Sequence, residues 1–333
     1  MPRSPSPNTR NRKNTAPVDE PILMEHVSAS FNTKPVDLPV IAVTGGKGGT
    51  GKTSVAVNLA VAMRGTGHRV LFVDADVDSP TAAIVFGIPQ ELAERVEIFV
   101  PRILDTKCNG CGKCAEACRP HALIQIAGKQ PMFFEELCSG CEACKLVCPL
   151  QAIGEGKKVI GYVHRGTRGD LSFIGGELKP NEARSAQVVT AAKDAAFAQA
   201  RTTSYDVMIV DTSPGTHCNV VQALRGADLA LAVTEPTPLG AYDLTLILRL
   251  MSMLGIPSKV VVNKADLPGA QSQPISEIAH SYGSEIIMQI PVDRCLFESY
   301  VAGEPLVATH PDAPAAQSVM KLADAVMHLP LMK

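Results

Sequence analysis

The sequence predicts an α/β protein in which a doubly wound, mostly parallel sheet is interrupted by a small inserted α+β domain. Continuous apolar runs alternate with helical patterns, which is typical of parallel strands covered on both faces. One stretch, which holds eight of the ten cysteines, breaks this alternation. The predicted strands are 40–44, 70–73, 207–210, 229–234, 259–263 and 286–290, and the predicted helices are 53–64, 183–200, 242–254, 275–282 and 315–327.

Composition limits the kind of protein and its partners. The 333 residues carry a net charge of −2 and 46% of them are hydrophobic, which suits a folded chain and disfavours a specific nucleic-acid partner. No apolar run approaches the length of a membrane span, and residues 1–18 lack the apolar segment of a secretory signal. We therefore expect a cytoplasmic protein without stable membrane insertion, whose reduced cysteines bind metal rather than form disulfides.

Three regions are expected along the chain. Residues 1–36, which contain six prolines, are expected to form a disordered tail. Residues 37–104 and 156–333 are assigned to one parent domain, because the predicted strands and helices occur in both segments. Residues 105–155 are assigned to an inserted domain, because the two halves of this segment repeat the same cysteine pattern.

A phosphate loop (residues 46–53) follows the first predicted strand. It fits the pattern G-x-x-x-x-G-K-[S/T] between a strand and a helix, where glycines let backbone N–H groups surround phosphates. Lys52 is expected to reach the β- and γ-phosphates, and the Thr53 hydroxyl is expected to bind Mg²⁺. ATP and Mg²⁺ are thus the expected cofactors. The candidate nucleotide-binding residues of this loop are Gly46, Gly48, Gly49, Thr50, Gly51, Lys52 and Thr53.

Lys47 is a second lysine inside this loop. In this feature the sequence resembles the deviant Walker A ATPases, the family of MinD, ParA and the nitrogenase iron protein. The resemblance covers most of residues 38–330. It implies an ATP hydrolase in which Lys47 reaches the nucleotide of a partner subunit, so that ATP binding produces a homodimer.

Two acidic segments have counterparts in the same family. Asp74, Asp76 and Asp78 follow the second predicted strand, at the sheet edge where such folds bind ligands. The resemblance implies that Asp76 orients the attacking water. It also implies that Asp211 holds the Mg²⁺ shell and that Gly215 senses the γ-phosphate. Carboxylates that only cap helices are the alternative.

Asn263 ends the predicted strand 259–263 and is placed to hydrogen-bond a purine base. The string Asn263-Lys264-Ala265-Asp266 also resembles the guanine-reading segment of GTPases, so GTP is the alternative nucleotide. Lys47 and the rest of the pattern favour ATP.

Eight cysteines form two C-x2-C-x2-C-x3-C runs. This is the spacing of two-cluster bacterial ferredoxins, in which the fourth cysteine of each run binds the other cluster. Two [4Fe–4S] clusters are expected, and zinc is the alternative, disfavoured because zinc sites use separated cysteine pairs. One predicted set is Cys108, Cys111, Cys114 and Cys148, and the other is Cys138, Cys141, Cys144 and Cys118.

Two cysteines lie outside these runs. Cys295 is expected to be a small buried residue. Cys218 follows Asp211 by seven residues. The nitrogenase iron protein has a cluster cysteine at this place, but the bridge between subunits needs a second cysteine per subunit. None is evident in the sequence, so no ligand role is expected for Cys218.

As a whole the sequence resembles MinD-superfamily ATPases with an inserted ferredoxin domain. The leading hypothesis is a dimer switch, driven by ATP, that gates electron transfer through two clusters to a redox or metallocentre-assembly partner. One alternative is a MinD/ParA-like positioning ATPase with structural or sensory clusters, although residues 315–332 lack the basic face of a membrane-binding helix. Another is an iron–sulfur carrier of the Mrp type, which would be expected to show a C-terminal C-x-x-C pair that this sequence lacks.

Overall fold

Strands of the parent domain form one central sheet in the computed structural model, which describes residues 34–126, 128–270 and 272–332. The predicted tail therefore lies outside the described residues, apart from 34–36. The strands are β1 (Val40–Thr44), β2 (Val70–Ala75), β3 (Glu91–Ile103), β4 (Leu123–Ile124), β5 (Met132–Phe133), β6 (Ile153–Arg168), β7 (Leu171–Leu178), β8 (Val207–Thr212), β9 (Leu229–Thr234), β10 (Ser258–Asn263) and β11 (Ile286–Ile290).

Helices connect most of these strands. None of those in the described part of the chain is long and apolar enough to cross a membrane. The helices are α1 (Lys52–Gly65), α2 (Ala82–Phe86), α3 (Lys113–Glu116), α4 (Ala143–Leu146), α5 (Ser185–Thr202), α6 (Cys218–Leu224), α7 (Pro238–Leu254), α8 (Ser272–Ser281), α9 (Arg294–Ala302), α10 (Leu306–Thr309) and α11 (Pro314–Met327).

The sheet has nine strands in the order β11-β10-β9-β1-β8-β2-β7-β6-β3. Every pair from β11 to β7 is parallel, and β6 and β3 are antiparallel to their neighbours. Side chains of α1 and α11 pack on one face and those of α5, α6 and α7 pack on the other, so the central strands are buried on both sides. The predicted fold class, a doubly wound and mostly parallel sheet, is confirmed.

Three strands of the sheet were not predicted from the sequence: β3, β6 and β7. The first, ELAERVEIFVPRI, is largely exposed, and the second alternates glycine and lysine with apolar residues. Neither contains the continuous apolar run that marks the parallel strands, because both lie at one edge of the sheet, where fewer side chains are covered. Their antiparallel pairing continues from Glu91 to Ile103.

The paired strands β3 and β6 form a ribbon that carries the cysteine module (residues 104–152) at its end. The ribbon is closed by a hydrogen bond from Leu104 N to Ala152 O, 2.8 Å long. Within the module, β4 pairs with β5, and α3 and α4 follow the first cysteines of each run. Residues 153–155 belong to β6, so the structural boundary falls slightly before the predicted one. The assignment of 105–155 as a separate domain stays a prediction.

Candidate functional site

The phosphate loop connects β1 with α1 in a conformation that needs glycine. Gly51 has a φ of 91°, in the left-handed region, and it directly precedes the helix. A Cβ atom at Gly46 would lie 2.3 Å from the backbone oxygen of Asp243 on α7. The loop is therefore packed against the helix that follows β9. It leads directly into α1, and the N-terminus of a helix attracts phosphate.

Lys52 lies inside the phosphate loop. Its side chain is buried, and Nζ donates a hydrogen bond of 3.0 Å to the backbone oxygen of Lys47. Burial lowers the pKa of Lys52, and the nearby carboxylates of Asp211 and Asp76 oppose this shift. The ammonium group is thus held within the loop, close to the acidic side of the site.

Asp211 is fully buried at the carboxyl end of β8. Neither of its carboxylate oxygens has a hydrogen-bond partner within ordinary distance among the described residues. Burial raises the pKa of this carboxyl to about 7, although the Thr53 hydroxyl and the Lys52 ammonium favour the anion. A buried carboxylate without a partner is unfavourable, and a hard cation would compensate it. Asp211 and Thr53 therefore fit a Mg²⁺ ion.

Asp74 organises the acidic segment that follows β2. Its carboxylate accepts hydrogen bonds of 3.1 Å from the backbone N–H groups of Asp76 and Ala82. Burial raises the pKa of Asp74 well above its usual value, and Asp211 adds to this shift. In this structure Asp74 fixes the turn between β2 and α2, which is the capping role considered as the alternative.

Asp76 and Asp78 point to different parts of the molecule. The Ser213 hydroxyl donates to Asp76 Oδ1 at 2.9 Å, and burial raises the pKa of Asp76 although Lys52 opposes the shift. Asp78 instead accepts a 3.1 Å hydrogen bond from the amide of Asn219 on α6. Of the two, only Asp76 faces Lys52 and the phosphate loop.

The end of β8 and the segment after it are hydrogen-bonded to the end of β1 and the residue that follows it. The Thr212 hydroxyl donates to the Thr44 hydroxyl at 3.0 Å. Gly215 N donates to the backbone oxygen of Gly45, also at 3.0 Å, with a φ of 95° at Gly215. The N–H group that a γ-phosphate sensor would use is therefore already bonded in this conformation.

Lys47 is held within its own chain. Its Nζ lies 2.9 Å from Glu235 Oε1, at the end of β9, and Lys264 Nζ lies 3.3 Å from the other oxygen of Glu235. Burial alone would raise the pKa of Glu235, but hydrogen bonds from the two lysines lower it below its ordinary value. Sequence reasoning missed Glu235 because the contact spans 188 residues and follows no local motif.

The segment that begins with Asn263 braces the phosphate loop. The Asn263 amide donates to the backbone oxygen of Thr50 at 2.8 Å, and Lys264 Nζ donates to that of Gly49 at 3.0 Å. Asp266 Oδ1 accepts a 2.6 Å hydrogen bond from the backbone of Val292. The amide nitrogen of Asn263 is thus engaged with the loop, while the role of its side chain toward a base stays a prediction.

Two small cavities in the cysteine module are each lined by four cysteines. At equivalent places, Ala122 N and Ala152 N donate hydrogen bonds of 3.2 Å to the sulfur atoms of Cys118 and Cys148. Each fourth cysteine thus sits beside the other run's cavity, in the pairing expected from the sequence. The first cavity is lined by Cys108, Cys111, Cys114 and Cys148, and the second by Cys118, Cys138, Cys141 and Cys144.

The buried cysteines of this module are poor thiolates without a metal. Burial raises the pKa of Cys144 to about 11, and the neighbouring Cys138, Cys114 and Cys118 shift it in the same direction. Cys141 is more exposed, and hydrogen bonds led by that of the Ala143 backbone lower its pKa. Crowded sulfur ligands of this kind are stabilised as thiolates by a cationic centre. The two sets of four sulfurs fit iron–sulfur clusters.

One buried arginine connects the parent domain to the cysteine module. Arg184, immediately before α5, donates from Nε to Cys138 O at 2.7 Å. Its Nη2 donates to the backbone oxygens of Glu135 and Glu136, and its Nη1 pairs with Glu182. No sequence motif identified Arg184. The arginine joins the beginning of a helix in the parent domain to the backbone of a candidate cluster ligand.

The remaining cysteines lie apart from both cavities. Cys218 is exposed at the beginning of α6. Cys295, expected to be buried, is only partly buried, because it lies on the first turn of the surface helix α9. The expectation for Cys295 was therefore wrong.

The fold and the phosphate loop define a P-loop nucleotide-binding protein. Residues 41–306 match the CobQ/CobB/MinD/ParA nucleotide binding domain, and the chain belongs to this family. The membership expected from Lys47 and the acidic segments is thus confirmed at the level of the family.

Individual relatives agree with this assignment. An uncharacterized protein of Methanocaldococcus jannaschii is 34% identical over 80% of this chain and 91% of its own length. A Pyrococcus horikoshii protein named iron-sulfur cluster carrier protein is 26% identical over 86% of this chain and 85% of its own length. The septum site-determining protein MinD of Pyrococcus horikoshii, solved with Mg-ADP, superposes with a TM-score of 0.57 at 18% identity, over 89% of this chain and 99% of that one. This structural likeness shows the fold.

Proposed function

We propose that the protein is an ATP hydrolase whose nucleotide cycle gates electron transfer through two [4Fe–4S] clusters to a redox or metallocentre-assembly partner. The observation that carries the proposal is the pair of cavities, each lined by four cysteines drawn from both runs. In two-cluster ferredoxins, likewise, each cluster is bound by three cysteines of one run and the fourth cysteine of the other run. The family assignment supplies the nucleotide-binding half of the proposal.

At the nucleotide site, each residue has a separate role in the proposed reaction. The N–H groups of the phosphate loop and Lys52 bind and orient the phosphates. Thr53 and Asp211 would hold Mg²⁺, which when bound neutralises phosphate charge. Asp76, fixed by the Ser213 hydroxyl, is placed to orient a water molecule toward the terminal phosphate. Gly215 would sense that phosphate by exchanging its bond to Gly45 O for one to the nucleotide.

We infer that Lys47 changes partner during the cycle. In the single chain it pairs with Glu235, and its side chain is 36% exposed, so Lys47 can turn away from the pair toward solvent. Release would let Lys47 reach the nucleotide of a second copy. Lys264 would remain on Glu235 and compensate the buried carboxylate.

The dimer step is tested by comparing two variants in the presence of ATP and Mg²⁺. Lys47→Ala should bind ATP but fail to dimerise and to turn over, whereas Glu235→Gln should dimerise at lower ATP concentration. Sedimentation measures the dimer and phosphate release measures turnover. A Lys47→Ala chain that hydrolyses ATP normally as a monomer would refute this step.

The cysteine module offers a surface suited to a protein partner. Several apolar side chains of the module are exposed, among them Leu146, which is 81% exposed, and Leu150, which also lines the first cavity. Groups of exposed apolar side chains are typical of a protein contact. The other exposed apolar side chains of the module are Ile124, Ile126, Met132, Phe134, Leu137 and Val147.

Metal and sulfide analysis tests the clusters directly. Protein purified without oxygen should contain about eight iron atoms and about eight inorganic sulfides per chain, because two [4Fe–4S] groups require them. It should also show a signal in electron paramagnetic resonance on reduction. Zinc without acid-labile sulfide would refute the ferredoxin assignment, since four cysteines also suit zinc.

An iron–sulfur cluster carrier is the second candidate function. The observation in its favour is the similarity to relatives that bear that name, at 26% identity or less. A carrier gives its cluster to an acceptor, whereas a resident electron-transfer centre stays bound. Incubation with a cluster-free ferredoxin distinguishes the two: retention of iron on this chain supports electron transfer, and ATP-dependent transfer supports the carrier.

A further inference from the structure

Three side chains that commonly bind metals meet outside the nucleotide site and the cysteine module. Cys295 and Glu298 lie one turn apart at the beginning of α9, and His310 directly follows α10. One ligand atom from each of them, a sulfur, an oxygen and a nitrogen, lies within 4.8 Å of the others. In a tetrahedral zinc site such atoms are separated by about 3.4–3.8 Å, so small rotations of the exposed Glu298 and the partly buried Cys295 and His310 would close the site.

The surrounding hydrogen bonds fix the backbone and the ring of this site. Asp293 accepts hydrogen bonds from Cys295 N at 2.9 Å and from Ala315 N at 3.0 Å, which fastens the beginning of α9 to the beginning of α11. His310 Nδ1 lies 3.0 Å from the hydroxyl of Thr309 and 3.3 Å from that of Ser299. A histidine that binds metal through one ring nitrogen is commonly oriented by a hydrogen bond at the other ring nitrogen.

The charges around the site favour a cation. Asp293 and Glu298 are the acidic groups beside Cys295, and the basic group nearby is Arg294. Arg294 is 90% exposed and pairs with Glu298 at 3.1 Å. An exposed pair of this kind is worth little, so a metal ion could displace the arginine from the carboxylate.

We propose that Cys295, Glu298 and His310 bind one divalent transition-metal ion of the zinc class. A thiolate, an imidazole and a carboxylate together suit Zn²⁺ and disfavour Mg²⁺ or Ca²⁺, which prefer oxygen ligands. Three protein ligands leave a fourth position open to solvent. The ion is therefore exchangeable, unlike one held by four cysteines. This proposal does not depend on the iron–sulfur clusters or on ATP hydrolysis.

Zinc titration of the full-length protein with its clusters intact tests the proposal. After removal of loosely bound metal, the chain is titrated with Zn²⁺ in competition with a chromophoric chelator, while its iron content is monitored. We expect one zinc per chain, and at least a tenfold loss of affinity in Cys295→Ser and in His310→Gln. Cys218→Ser is the matched control, because Cys218 is an exposed cysteine on another helix, and it should bind zinc as the natural chain does.

X-ray absorption at the zinc edge identifies the ligands. The expected environment is one sulfur with nitrogen and oxygen neighbours, and the sulfur contribution should disappear in Cys295→Ser. If that variant fails to fold, Glu298→Gln and His310→Gln, which change side chains at the surface, give the same test through affinity. Equal zinc binding in all variants, or a zinc ion surrounded by sulfur alone, would overturn the proposal.

Discussion

The phosphate loop and the cysteine module are stabilised in different ways. The loop follows a strand of a sheet that is buried on both faces. Side chains of Asn263 and Lys264 and the backbone of α7 contact the loop, and Gly215 is hydrogen-bonded to the residue before the loop. The buried apolar groups of the cysteine module are few, and cysteines are prominent among them: Cys114, Ala122, Leu123, Cys138, Cys144 and Ala152. Some of them pack against Val100 and Ile153 at the end of the ribbon. A segment with so small a core commonly needs bound metal to keep its structure. We therefore expect that the nucleotide site is formed before ligand binding and that the module, on the proposed function, is ordered by its clusters.

Cluster removal should therefore affect the two regions very unequally. After oxidation and chelation of the iron, amide hydrogens of the cysteine module should lose most of their protection, because little apolar surface remains to hold them. The phosphate loop and β1 should keep theirs. Hydrogen exchange read by mass spectrometry measures both regions in one sample, and unchanged protection in residues 104–152 would show that the module folds without clusters.

ATP binding is expected to depend on one lysine side chain of the phosphate loop rather than on the iron content of the protein. Lys52→Ala should lower ATP affinity by about 100-fold or more, because a buried charged donor is removed from the phosphates. The absorption spectrum of the clusters should stay unchanged. Lys264→Ala is the control, since that lysine contacts the loop at Gly49 O and pairs with Glu235, and its effect on ATP affinity should be clearly smaller. Titration with a fluorescent ATP analogue measures both variants.

Arg184 should connect the two regions. Arg184→Gln removes the guanidinium that donates to the backbone oxygens of Glu135, Glu136 and Cys138, at the start of the second cysteine run, and we expect a loss of about 2–4 kcal/mol in stability. The second cluster should become more labile than the first. Arg201→Gln, at the exposed end of the same helix, is the control. Denaturant unfolding and the rate of iron loss measure the effect, and identical rates for Arg184→Gln and the control would contradict this role.

The smallest expected effect concerns pH at the nucleotide site. Since burial raises the pKa of Asp211 to about 7, the metal-free folded chain binds a proton that the unfolded chain releases near pH 4. Stability of the metal-free protein should then fall as pH rises from about 4 to 7, and be constant above. Mg²⁺ must displace that proton, so Mg²⁺-dependent ATP affinity should weaken by up to about tenfold for each pH unit below 7. Asp211→Asn should remove the part of this pH dependence that Asp211 contributes and leave the part that Asp74 contributes, as denaturation at pH 5 and pH 8 would reveal.

The difference between the buried sheet and the cysteine module also explains which parts of the structure could be predicted from the sequence. The strands β1, β2, β8, β9, β10 and β11 were predicted because burial on both faces leaves continuous apolar runs. The pairing of each fourth cysteine with the other cavity followed from spacing alone, and the cavities are lined accordingly. The ribbon of β3 and β6 was missed because its few buried residues are interspersed with exposed ones and form no continuous apolar run.

Contacts between distant segments lay beyond sequence reasoning for a different reason. Glu235 meets Lys47 across 188 residues, and Arg184 meets Cys138 across 46. No local pattern marks either residue, since a strand-end carboxylate and an arginine before a helix are common features. Only the folded sheet brings them to the phosphate loop and to the cysteine module.

We expect the nucleotide and the clusters to influence each other, and cluster potentials measured in two nucleotide states test this coupling most directly. A path exists from Asp76 through the Val77 backbone, which accepts from Leu178 N at 2.8 Å, to the segment that contains Arg184. Coupling of ~1–3 kcal/mol would be ordinary between two sites. Because 1.4 kcal/mol corresponds to about 60 mV for one electron, the cluster potential should differ by tens of millivolts between ADP and a non-hydrolysable ATP analogue.

Protein-film voltammetry of the natural chain and of Asp76→Asn gives the decisive result. Asp76→Asn should slow hydrolysis yet keep the shift in potential, because it removes the orientation of water and leaves phosphate binding in place. By reciprocity, reduction of the clusters should change ATP affinity by the same factor. Identical potentials in both nucleotide states, together with an ATP affinity that does not respond to reduction, would contradict the coupling within this chain.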